Sequence, residues 1–153
     1  MSTRRIAIAA LGLLLLSIIV AIFYVVGEVS VEDVEAKFSG NSITVLVDIR
    51  NSMLRRVCII GVELSGADSY LNNSVRVELH RTKIIGNVVR MEKAGLVCIK
   101  QGDLLSMKDR GLHIMIIGDR ESIEEIIRDK VVSLRLLLDN GDKLEVNAFI
   151  STD

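Results

Sequence analysis

The segment Ser42-Ile43-Thr44-Val45-Leu46-Val47-Asp48-Ile49-Arg50 alternates apolar and polar residues with a period of two. Successive side chains of an extended chain point to opposite faces. Ile43, Val45, Val47 and Ile49 therefore share one face, and Thr44, Asp48 and Arg50 share the other. Leu46 is the one apolar residue on that second face. Upstream, Val29 to Phe38 alternates in two registers, which predicts a strand with a bulge near Asp33. Ser39-Gly40-Asn41 is a turn signal between the two strands.

Downstream, Asn51-Ser52 breaks the pattern. Cys58, Ile60, Val62 and Leu64 form the next apolar face, and Ser65 to Asn73 reads as a polar loop. Val75, Val77 and Leu79 alternate with Arg76, Glu78 and His80. Two apolar runs follow, Lys83 to Met91 and Leu96 to Lys100, and Leu112 to Ile117 reads as a strand buried on both faces. Ser122-Ile123-Glu124-Glu125 is a capping box that predicts a short helix over Ser122 to Arg128. Asn140-Gly141, between alternating runs at 131–138 and 144–150, predicts a type I′ hairpin. The expected fold is mainly β: an antiparallel β-sandwich of roughly seven to eight strands, fibronectin- or Ig-like, with one short helix.

Before these strands lies Ile6 to Val26, 21 residues without charge or proline. As a helix it would span roughly 30 Å, a bilayer's hydrocarbon thickness. Arg4 and Arg5 precede it, and Glu28, Glu32, Asp33 and Glu35 follow. The expected organisation is a cytoplasmic tail at 1–5, a transmembrane helix at 6–26 and an extracytoplasmic domain at 27–153. Residues 6–26 would contact membrane lipid, and the chain would lie in the cell membrane as a single-pass protein with its amino terminus in the cytoplasm. Their length and the absence of a small-x-small site favour a retained signal anchor over a cleaved signal peptide.

Of the 19 basic residues, two precede residue 6, so residues 27–153 carry 17 − 20 = −3. That balance excludes a nucleic-acid footprint. Proline is absent; a single glutamine and many charges among aliphatic residues are compatible with a thermophilic source. Cys58 and Cys98 are the only cysteines, and they lack zinc-ligand spacing. They read as one disulfide or as two buried free thiols, and both readings stand open. Asn72-Asn73-Ser74 is a glycosylation sequon, with Asn72 the acceptor. His80 and His113 have no nearby ligand or triad pattern and read as surface or packed histidines. Asp139-Asn140-Gly141-Asp142 reads as a turn and not a calcium loop. Nucleotide-binding and metalloprotease motifs are absent from the sequence. Neither a catalytic residue, a metal nor a cofactor is expected, and the chain reads as a non-enzyme.

The strand Ser42 to Arg50, running through Asn51 into Val57 to Leu64, resembles the late-embryogenesis-abundant type 2 family, the water-stress and hypersensitive-response domain. The helix Ser122 to Arg128 followed by the hairpin Val131 to Ile150 carries the same likeness, as does the domain length, Val29 to Ile150. The resemblance is to a membrane-anchored, archaeal-type member and implies a seven-stranded, fibronectin-like sandwich without enzymatic role. A second likeness is to archaeal pilins and archaellum stator proteins, which also place an apolar amino-terminal helix before a β-sandwich. The expected function is a structural or protein-binding module at the cell envelope. The alternative is a subunit or stator-like component of an archaeal surface filament, with an envelope or filament protein as partner.

Overall fold

A computed structural model describes residues 3–25 and 27–151. Within the first helix, side chains are described at 8 and 11–21. Of the expected tail at 1–5, Met1, Ser2 and the side chains of residues 3–5 lie outside the described residues.

Helix α1 runs Thr3–Val25. Its described side chains are exposed, and none joins the core. Among the described residues, no helix is long and apolar enough to cross a membrane. The expected transmembrane helix at 6–26, its lipid contact and the single-pass location are corrected on that finding.

The rest of the chain forms β1 (Val29–Ser39), β2 (Ser42–Asn51), β3 (Val57–Leu64), a 3-10 helix (Gly66–Asn73), β4 (Val75–Ile85) and β5 (Val88–Lys93). There follow β6 (Val97–Ile99), β7 (Leu104–Ser106), β8 (Leu112–Gly118), α2 (Arg120–Arg128), β9 (Val131–Leu138) and β10 (Lys143–Ser151). The strands lie in one open sheet, in the order β5-β4-β8-β2-β1-β10-β9-β3-β6, with β7 paired to β2. One core cluster gathers side chains from both halves of this order, and β3 and β4 approach each other across the open side.

Two features of the expected fold change. Ten strands replace seven or eight: β7 is three residues long, too short to show alternation, and the run at 83–91 divides between β4 and β5. Pairing is antiparallel except at β1–β10, which runs parallel at Ala36↔Ile150 and Lys37↔Ser151. Side chains alternate alike in both kinds of pair, so periodicity could not reveal this.

Strand β2 is central, as its pattern requires. Ile43, Val45, Val47 and Ile49 are each fully buried. Burying four such side chains stabilises the fold by roughly 6–12 kcal/mol relative to exposing them. Strand β1 shifts register between Val31 and Asp33, the expected bulge. Helix α2 starts two residues before the expected Ser122, because Asp119 is the cap and accepts from the Ser122 N–H at 2.8 Å. Its Ile123 and Ile126 are buried. The β9–β10 turn also differs. Gly141 has φ +88 but Asn140 is not left-handed, and the Gly141 N–H donates to the Leu138 carbonyl at 3.0 Å. A type I′ turn needs positive φ at both central residues, so this is a three-residue loop closed by a left-handed glycine.

Candidate metal centre

The strands β5, β4, β8 and β2 are neighbours; β4, β8 and β2 each turn one set of alternate residues into the core, whereas β5 is exposed along its whole length. Leu79, Ile114, Ile116, Ile43 and Val45 take those inner positions. The outer face is set by the same registers. Thr44 pairs with Met115, Met115 with Glu78, and His113 with His80. His80 pairs with Lys93, and Thr82 with Met91. Directly opposed residues share a face, so His80, Met91, His113 and Met115 stand on one side of three adjacent strands.

Met91, His113 and Met115 line a cavity of about 350 Å³, together with Thr44, Leu46, Thr82 and Lys108. Leu46, the apolar exception on the outer face of β2, is thus part of a cavity wall. Gly111 closes the wall at φ +63. A Cβ there would sit 3.2 Å from the Thr82 carbonyl oxygen, so both backbone conformation and space call for glycine. The His80 ring meets the His113 ring edge-on, with centroids 5.9 Å apart and planes at 81°.

His113 is 8% exposed. Burial holds its imidazole below the usual range, and the charge of His80 pushes the same way. His113 is therefore neutral near pH 7, the form that ligates metals. His80 Nε2 lies 3.0 Å from Glu78 Oε2, and Lys93 Nζ donates to Glu78 Oε1 at 3.4 Å. The His80 hydrogen bond is the largest influence drawing the Glu78 carboxyl below its usual range. His80 Nδ1 is the one buried polar side-chain atom among the described residues without a hydrogen-bond partner. A buried nitrogen without a partner costs stability unless something else occupies its lone pair.

The donors are two imidazoles and two thioethers, and the set contains no carboxylate. Thioethers are soft, and with imidazole they suit monovalent copper. Calcium and magnesium demand oxygen ligands. Among the described residues, no group of three or more His, Cys, Asp or Glu could hold a metal ion, so a harder site is not offered elsewhere.

Sequence reading placed His80 and His113 correctly on their strands but treated each as isolated. It counted no thioether as a ligand, and it took Lys83 to Met91 as one run. The structure breaks that run at Gly86, φ +63, into a hairpin that returns Met91 beside Thr82. The signal was present in His113-x-Met115, two donors on one strand face. Cys58 and Cys98 face each other in the β3–β6 register, at the opposite end of the sheet from β5, and are disulfide-bonded. Asn72 lies in the last turn of the 3-10 helix. Its Oδ1 accepts from the Leu64 N–H at 2.8 Å, and its Nδ2 donates to the Leu64 and Ser69 carbonyls. Neither the cysteines nor Asn72 lines the cavity.

The architecture is that of the PCuAC domains. The copper-bound PCuAC domain from PmoF2 superposes with a TM-score of 0.56 at 14% identity, covering 85% of this chain and 97% of that chain. The apo PCuAC domain from PmoF1 gives 0.58 at 13% identity, covering 85% and 98%. The apo PmoF2 PCuAC domain gives 0.56 at 14%, covering 84% and 94%. At such identities the likeness establishes the fold. No family model matches the chain, and no curated protein does. The resemblance to the late-embryogenesis-abundant type 2 family is corrected accordingly: strand alternation, a late helix and a hairpin are shared by many β-folds, and sheet order separates them. The archaeal, thermophilic, envelope and filament readings find no support in these neighbours.

Proposed function

We propose that this chain is a non-enzymatic copper-binding module that holds one cuprous ion between His80, Met91, His113 and Met115. The observation that carries the reading is the placement of all four donors on one face of β4, β5 and β8, three of them around one cavity. The partnerless Nδ1 of His80 and the neutral His113 are suited to ligation. A PCuAC domain of the same architecture was solved with copper bound. The ion is read as cargo, held by four side chains that are all neutral when they ligate.

The test is anaerobic titration of the reduced protein with Cu(I) against a competing chelator, followed by X-ray absorption on the loaded protein. The expected result is one ion per chain with nitrogen and sulfur scatterers. Uptake that is unchanged in a His80→Ala/Met115→Leu double variant would refute the assignment, as would a coordination shell without sulfur.

A further inference from the structure

We infer that Glu78, steadied by Lys93, is a positioning residue that fixes the tautomer of His80 so that Nδ1 is the nitrogen presented to the metal. The inference rests on the copper reading above. Glu78 and His80 are two apart on β4 and so share a face. Lys93 stands directly opposite His80 on β5, and its ammonium donates to one Glu78 oxygen while the other lies 3.0 Å from His80 Nε2. An ionised carboxylate can only accept, so Nε2 carries the proton in this contact. The neutral ring then has its lone pair on Nδ1, the buried atom that finds no partner within the protein. The opposite tautomer would set the Nε2 lone pair against the carboxylate and bury an N–H with no acceptor.

A carboxylate that receives the second ring N–H of a ligating histidine sets both its proton and its orientation, and loss of such a partner costs about 10–100-fold in metal affinity. Lys93 extends the arrangement by restraining Glu78, which would otherwise be free to rotate away. Nothing in this relay needs Glu78 to touch the metal.

The experiment has two readouts. The chain has two histidines, so long-range proton–nitrogen spectra of the metal-free, labelled protein at about pH 8 resolve both rings. A His80→Gln variant assigns them. The expected wild-type state is His80 protonated at Nε2. Glu78→Gln should keep that state, since the amide oxygen still accepts, whereas Glu78→Leu should give a mixture. Cu(I) affinity should fall about tenfold or more in Glu78→Leu and stay near wild type in Glu78→Gln. A wild-type His80 protonated at Nδ1 overturns the inference, and that measurement needs neither a variant nor copper. So does a folded Glu78→Leu protein that binds Cu(I) like wild type while the wild type binds well. A wild-type chain that takes up no copper would instead sink the copper reading, and this inference with it.

Discussion

Asn51 offers the sharpest test of how the fold is held. It is fully buried at the end of β2. Its Nδ2 donates to the carbonyls of Arg55 at 2.8 Å and of Ile99 and Lys100 at 3.1 Å each. Its Oδ1 accepts from the Met53 N–H at 3.0 Å. Two N–H groups thus serve three carbonyls, one of them shared. Asn51→Asp keeps the shape, removes both donors and buries a carboxylate against three carbonyl oxygens. The two lost bonds cost about 2–3 kcal/mol, and the stranded polar groups add about 1–3 more. We expect a total of about 4 kcal/mol at neutral pH, a large share of the roughly 5–15 kcal/mol typical of a domain. The variant should also carry a pH signature. Burial beside carbonyls raises the carboxyl pKa in the folded state, so the folded protein binds more protons than the unfolded one, and the loss should shrink as pH falls toward 5. The chain has no tryptophan, so urea unfolding is best followed by far-ultraviolet circular dichroism. A loss below about 1 kcal/mol with an unchanged denaturant slope would show that Asn51 is not what joins β2 to the loop before β7.

Three further outcomes are expected. Free Cu(I) held about 100-fold above its dissociation constant should stabilise the protein by about 2.7 kcal/mol, an upward midpoint shift of about 5–10 °C; an equal shift in Met91→Leu would place the metal elsewhere. Replacing Cys58 and Cys98 by serine opens a link across 40 residues of sequence, and chain entropy puts the loss at about 4 kcal/mol; urea midpoints that match wild type under oxidising conditions would refute it. In the metal-free protein, the lowered His113 pKa means that the folded state binds fewer protons than the unfolded one just below 6.5. Stability should therefore be full above that value and fall as pH drops through it, and His113→Gln should flatten the fall in urea midpoint; an equally steep fall in the variant would assign it to other groups.

Local pattern determined much of this protein. The alternation of Ser42 to Arg50, the bulge beside Asp33 and the amphipathic spacing of Ile123 and Ile126 follow from rules that act over a few residues, and the structure keeps them. The cap at Asp119 and the loop at Gly141 were near misses, in which the turn chemistry had more than one local solution. Sheet order, the parallel β1–β10 pair and the short β7 were not legible, because pairing partners are chosen by fit across the whole sheet. The apolar amino-terminal run was read from its length, its lack of charge and its charged flanks, and among the described residues no helix is long and apolar enough to cross a membrane.

The candidate site divides in the same way. That His113 and Met115 share a face was fixed by the period of a strand, and His80 by the same rule on β4. That β4 pairs with β8 so that His80 opposes His113, and that β5 folds back to bring Met91 beside Thr82, was decided by register. Register depends on contacts between residues far apart in sequence, and a shift of one position would have turned these donors away from one another. Sequence supplied four soft or neutral donors; only the tertiary structure placed them on one face.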